Sequence, residues 1–338
     1  MSPDAIIDLQ PVIDAALSTL EAACLGPGRY ARWLGAERAR HAGGADINPY
    51  GCADAANILY TTGHFPRNPA GRVEWVGALQ AMQDAGSGLF HEATHHTYHV
   101  TAHCVAALEL FDARPLHPLR GLAFLDEPGG LERFLDKLQW NEGPWNASHQ
   151  GAGIYAARVI CGEAGRDWEE RYFSWLWREQ DEATGFWRRG CVDTPNGAPL
   201  FHHLAGTFHY LFNHEHARRP LRYPAALIDT CLRLRSGNLW PVLGAAIGFS
   251  DIDWVYCLTR ALRQCGHRSA EVRGQLEHFA KQFAAFLLDR VRTDRTPFDD
   301  VHLLFGTLCA LAELQTALPG LYRTDRPLHL VLDRRPFI

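Results

Sequence analysis

The chain has 338 residues, 47% of them hydrophobic and 21% charged, with a formal net charge of -5 and a pI near 6.4. That balance suits a globular protein with a sizeable core, and it makes no electrostatic case for nucleic acid or an anionic membrane as partner. No apolar run approaches the roughly 18 residues of a spanning helix. The opening MSPDAIIDLQPVIDAAL lacks the basic start of a secretory signal, and nine scattered cysteines without a CxxC pair imply reduced thiols, hence the cytoplasm.

Hydrophobic spacing predicts a first helix over 5–24, with Ile6, Leu9, Val12, Ile13, Ala16, Leu17 and Leu20 along one face. GPG at 26–28 breaks it, a second helix is expected over 30–40, and HAGGADINPYG is a loop. From there a unit of about 50 residues recurs, the length of a pair of helices. Charge-poor helices are expected over 53–60, 94–111, 151–161, 204–214, 254–264 and 303–316. Each follows a polar patch: Asp46 to Tyr50, His91 to His99, Trp145 to Gln150, Phe201 to His203, Ser250 to Trp254 and Asp299 to His302. Helices with one charged face alternate with them, over 73–82, 131–140, 168–179, 225–235 and 270–291. No stretch before the tail alternates like a strand, and LHLVLDRR at 328–335 is too short to assign. Inner helices that touch neighbours on all sides lose the charged face that surface helices keep. The expectation is an all-α fold, an (α/α)6 toroid of about six helical hairpins forming one domain over 1–338.

Two stretches look like copies of one turn. RYFSWLWREQDEATGFW (171–187) ends a helix with an aromatic face and then turns at Gly185, before Trp187. Upstream, Gln83, Asp84, Gly88 and Phe90 take the places of Gln180, Asp181, Gly185 and Trp187. These stretches resemble the QW motif of the terpenoid cyclase and protein prenyltransferase superfamily, well in the second copy and partly in the first, which lacks the Trp. The resemblance implies a toroid whose loops into the inner helices converge at one mouth.

The polar patches supply four candidate constellations. In FHEATHHTYHVTAHC (90–104), His91, His95, His99 and His103 recur every fourth residue, as neighbours on a helix do. His95 and His99 are the pair spaced to hold a divalent metal, given a third ligand such as Cys104 or Asp251; otherwise they serve substrate or acid–base chemistry. In FSDIDWVYCLTRAL (249–262), Asp253 falls in a first helical turn beside Asp251. This stretch resembles the DxDD segment of class II terpenoid cyclases, which implies Asp253 as a protonated general acid; Trp254 departs from the motif where its last Asp would stand. GPWNASHQGAG (143–153) offers Trp145 as a flat platform for a sugar ring or carbocation, with Asn146, His149 and Gln150 as hydrogen-bonding groups. With Tyr98 or Tyr155 these fit β-elimination of a uronic acid, neutral donors polarising the carboxylate while a base takes the α-proton. Gly151 and Gly153 allow close helix approach. The fourth patch, FHHLAGTFHYLFNHEHARRP, carries His202, His209 and His216 seven apart, and Asp299, Asp300 and His302 form a further acidic cluster.

The sequence therefore points to a terpenoid cyclase-like enzyme with Asp253 as general acid and Asp251, His95, His149 and Tyr98 as further catalytic candidates. Trp145, Asn146, Gln150, His99, His202, Trp254, Asp299 and His302 would contact a small-molecule or oligosaccharide substrate, with no cofactor required unless His95 and His99 hold a metal. A carbohydrate lyase or hydrolase at the same mouth, and a non-catalytic binding toroid, are the alternatives. No sequence feature sets the oligomeric state.

Overall fold

Proline and glycine set many of the helix boundaries. In the computed structural model, which describes residues 6–41, 43–237 and 242–337, three of the helices open with Pro49, Pro144 or Pro224 in the first turn, where a missing N–H costs nothing and φ is already helical. The elements in chain order are β1 (Ile7–Asp8), α1 (Gln10–Ala23), β2 (Cys24–Gly26), β3 (Arg29–Tyr30), α2 (Gly35–Arg40), α3 (Pro49–Thr61), α4 (Pro69–Gln80), α5 (Thr97–Leu110), α6 (Gly130–Lys137), α7 (Pro144–Cys161), α8 (Arg166–Glu179), α9 (Leu200–Ala217), α10 (Pro224–Ser236), α11 (Ser250–Cys265), α12 (Ser269–Thr293), α13 (Val301–Ala317) and β4 (Tyr322–Arg323). The fold is mostly helical, as expected, and no helix among the described residues is long and apolar enough to cross a membrane.

Several helices start earlier than their apolar pattern suggests. The patches at Trp145 to Gln150 and Phe201 to His203 are first or second helical turns, and Asp253 lies in a first turn as its cap-like surroundings suggest. A polar first turn is invisible to a period of apolar residues, because free N–H groups there favour polar neighbours. The reverse holds at α5. His96 is extended and caps the helix, its Nδ1 accepting from Tyr98 N at 3.2 Å, so His95 lies before the helix and not on it. The tail at 331–333 forms a short 3-10 turn, and the only described strands are the two- and three-residue pairs β1–β4 (parallel, Ile7 beside Tyr322) and β2–β3 (antiparallel).

The chain divides into two compact units. The first draws on Met1–Leu79, Asn238–Tyr256 and Arg268–Val331, the second on Gln80–Gly237, Cys257–His267 and Leu332–Ile338. In the first, α13 packs along α3, and α1 packs on α12 and α13. Asn48 caps α3 through Tyr50 N (2.8 Å), and Asp300 caps α13 through His302 N (2.9 Å). In the second, α7 lies between α5 and α9, while α6 packs on α8 and α10 on α9. The helices that sequence read as charge-poor are buried nearly all round: α5 from His99 through Leu108, α9 from His203 through His214, and α13 along most of its length.

The two Gln-Gly turns, both in the second unit, are the same structure. Gln83 Nε2 donates to Gly88 O (2.8 Å) and Gln180 Nε2 to Gly185 O (2.7 Å). Each Gln Oε1 accepts from a later backbone N–H, His117 N at 2.9 Å and Arg222 N at 2.8 Å. Asp84 accepts from Ser87 and Asp181 from Thr184, through both backbone and hydroxyl. Thr101 Oγ1 then receives Phe90 N (2.9 Å), as Thr207 Oγ1 receives Trp187 N (3.2 Å). Gly185 adopts φ +72°, and a Cβ there would lie 2.5 Å from Leu227 N. The glutamine thus ties the chain after α4 or α8 to the connection beyond it, and the turn hangs on α5 or α9 through Thr101 or Thr207.

Candidate functional site

Each unit buries a cluster of titratable groups. In the second unit the carriers are α5, α7 and α9, and glycine lets α7 reach both neighbours. A Cβ on Gly153 would stand 2.8 Å from Tyr98 O of α5, and one on Gly151 would overlap the Tyr210 hydroxyl of α9. This approach brings His99, His149 and His209 together, one from each helix, with one potential ligand atom per ring all within 4.8 Å of each other. The ring centroids of His99 and His149 are 4.2 Å apart, those of His149 and His209 4.7 Å, and those of His99 and His209 5.6 Å. His95 stacks on His99 at 5.1 Å, and its Nδ1 sits 2.7 Å from Thr94 Oγ1.

The cluster is graded in exposure. His99 and His209 are buried, while His95, His149, Trp145, Gln150 and His202 are half-buried and Asn146 is exposed. Burial pushes His99 well below its ordinary value near 6.5, and the neighbouring His149, His95, His209 and His103 push the same way. It is neutral at physiological pH. His209 has its tautomer set by its surroundings. Its Nδ1 lies 2.9 Å from Ala205 O and 3.1 Å from Ser148 Oγ, whose own proton goes to Trp145 O (2.6 Å). Only an Nδ1–H satisfies that carbonyl, which leaves the Nε2 lone pair as the basic and ligating atom. Phe337 packs on His99 (4.8 Å) and His209 (5.8 Å) and closes one side with an apolar ring. Trp145 meets the edges of His149 (6.2 Å) and His202 (6.4 Å); burial lowers the His202 pKa. Tyr98 instead packs on Phe124, Phe134 and His96, and desolvation raises its hydroxyl above the usual value near 10.

In the first unit, Asp251 and Asp253 occupy the first turn of α11. Asp251 Oδ1 accepts from Gly244 N at 2.7 Å. Asp253 is 1% exposed, and its Oδ2 has no hydrogen-bond partner among the described residues. Desolvation, then the charge of Asp251, raises its pKa well above the ordinary 3.8, against the helix dipole that favours the anion. Trp254 is fully buried, tilted against Phe279 at 5.2 Å. Phe249, one turn before Asp253, sets its ring 4.5 Å from that of His302 on α13, and His302 Nδ1 is 3.0 Å and 3.2 Å from the two oxygens of Asp54 on α3. Asp54 and His302 are both buried. Asp300 is taken up by capping α13 and by Arg32 (3.2 Å) and Trp33 Nε1 (3.1 Å). Asp299 is part-exposed, its pKa raised by desolvation and then by Glu37 and Asp294.

Of the residues singled out from sequence, the second unit thus gathers His95, His99, His149, Trp145 and His202, and the first holds Asp251, Asp253, Trp254, Asp299 and His302. Two contributors were not singled out. His209 was visible only as the middle of a seven-residue spacing; its signal is a histidine flanked by Ala205 and Gly206 one turn before, in a helix without other charge nearby. Asp54 has the plainer signal, a lone acid in the apolar run GCADAANIL. Comparisons of the chain with protein-family models, with curated proteins and with solved structures return no match.

Proposed function

We propose that this protein is an acid–base enzyme, cyclase-like in its chemistry, in which Asp253 delivers a proton to an alkene- or epoxide-bearing substrate. The observation that carries the reading is the enclosed Asp253 carboxyl, beside Asp251 and with an Oδ2 that no donor among the described residues reaches. A carboxylate in that setting is worse solvated than the acid, so the proton stays on until a substrate accepts it. Protonation leaves Asp253 as the anion and a carbocation on the substrate. The helix N-terminus then stabilises the new carboxylate. Asp251 remains the like-charged neighbour that favours reprotonation. The step needs no cofactor.

The (α/α)6 ring, closed as one domain, is part of the proposal, as is a cytoplasmic setting for the cysteines. Within the second unit, charge-poor helices α5, α7 and α9 lie side by side and the intervening α6 packs on α8, the local order of successive hairpins in such a ring. The identical Gln-Gly turns support it as a repeated staple.

A second reading has its own observation. Trp145, half-buried with His149 and His202 on its edges and Asn146 and Gln150 on the same helix turns, suits an oligosaccharide above a histidine-lined floor. One assay separates the two. Wild type is incubated with linear isoprenoids (free, diphosphorylated and epoxidised) and with uronic-acid and neutral oligosaccharides, and products are resolved by mass spectrometry. Cyclised isoprenoid lost by about 10²- to 10⁴-fold in Asp253→Asn, with the thermal midpoint kept, is the expected result. Turnover of sugars only moves the function to the Trp145 mouth. Turnover of neither, with saturable binding of one, makes the protein a binding module.

A further inference from the structure

We propose that His99, His149 and His209 form a mononuclear site for a divalent transition metal of the zinc type, with one position left open for water. The site lies wholly in the second unit and is independent of the Asp253 reading.

Three features carry it. The first is convergence: three imidazoles from three helices place one ligand atom each within 4.8 Å of the others. A tetrahedral ion with metal–nitrogen bonds of about 2.0–2.1 Å needs these atoms about 3.4 Å apart, so side-chain adjustment alone completes the set. The second is preorganisation. Metal-bound histidines almost always donate their other N–H to a carbonyl or carboxylate, and His209 Nδ1 already faces Ala205 O and Ser148 Oγ, which presents Nε2 as a lone pair. The third is the setting. Phe337 shields His99 and His209 on one side, while His149 is half-buried and touches Trp145.

The donor set selects the metal class. Three neutral nitrogens, without thiolate or carboxylate, suit zinc, iron, nickel or copper and are poor for magnesium or calcium, which take oxygen. Three protein ligands are also the number found when a metal keeps a reactive fourth position. Because all three are neutral, the full double charge acts on the bound water, which acidifies toward about 7 in comparable settings. His95 is left outside the set, as a ring stacked on His99.

The test uses full-length protein expressed without a histidine tag, stripped with chelator and titrated with Co²⁺ or Zn²⁺. The expected outcome is about one metal per chain, a visible d–d band of tetrahedral strength with Co²⁺, and a higher thermal midpoint with either ion. His149→Gln, at the half-buried position where folding is least at stake, should weaken binding by at least about 10- to 100-fold. His209→Ala should do the same, while His95→Ala should keep the stoichiometry. Less than about a tenth of a metal per chain at saturation overturns the site. So does equal affinity in His149→Gln and wild type, or loss in His95→Ala with His149→Gln unaffected.

Discussion

The histidine cluster of α5, α7 and α9 and the aspartate pair at the start of α11 are built by the same physics with opposite sign. In each, like groups are crowded between helices, and both burial and the neighbours' charge drive the central residue to its neutral form: His99 by losing a proton, Asp253 by keeping one. Neutrality means different chemistry in the two cases. A neutral imidazole is a lone pair, ready for a metal or a substrate proton; a neutral carboxyl is a proton donor. Exposure separates them further. The histidines run from buried His99 to half-buried His149, whereas Asp251 and Asp253 are both enclosed. One region reaches partway to the surface, and the other does not.

The largest effect expected from breaking this comparison is on packing. Gly153→Ala sets a Cβ against Tyr98 O at 2.8 Å, with only backbone around it, whereas Gly306→Ala in the first unit meets Gly248 O and a Phe249 ring at 3.0 Å, and the ring can yield. Gly153→Ala should cost about 1–3 kcal/mol and weaken metal binding with it, by separating His99 from His149. Gly306→Ala should cost less, and denaturant titration of both variants checks the order. If Gly153→Ala keeps wild-type stability and metal affinity, the close approach of α5 and α7 is not what assembles the histidines.

The pH response sharpens the contrast. His99 is depressed in the folded protein, so its contribution is complete above the unfolded value near 6.5 and is lost as pH falls from there. Asp253 is raised, so its contribution is complete below the unfolded 3.8 and is lost as pH climbs from there through the folded value. Each limb has a slope of at most about 1.4 kcal/mol per pH unit. Thermal or denaturant stability measured across pH should therefore flatten on its acid limb in His99→Gln and on its alkaline limb in Asp253→Asn. Both variants changing the same limb would sink the opposed-sign account. The smallest effect is expected from Ser148→Ala, which removes a partner of His209 Nδ1 and leaves Ala205 O. Metal affinity should fall by about 10-fold with stability nearly unchanged, and an unaltered affinity would assign the orientation of His209 to Ala205 O alone.

Much of the architecture could be read from particular residues. The charge-poor stretches became the buried helices because a helix enclosed on all sides has no room for charge. Gln83 with Gly88 and Gln180 with Gly185 marked two copies of one turn because the same bonds need an amide five residues before a carbonyl at positive φ. Gly151 and Gly153 announced close helix contact, and the acid at Asp253 could be placed in a first turn from its cap-like surroundings. Where helices start earlier than expected, at Pro144 and at Leu200, the polar first turns carry no apolar period to announce them.

What the sequence alone determined is therefore local: which stretches are helical, which are enclosed, and where turns and polar groups recur along the chain. Which histidines meet was decided only by the tertiary structure. Spacing of four residues pairs His95 with His99, yet the fold takes His95 off the helix through the His96 cap and gives His99 partners 50 and 110 positions away. Periodicity reports the direction a side chain takes from its own helix axis. It carries nothing about the rotation and height at which a second and third helix arrive, and those are set by packing at Gly151 and Gly153, where each backbone can come as near as its neighbour's atoms permit.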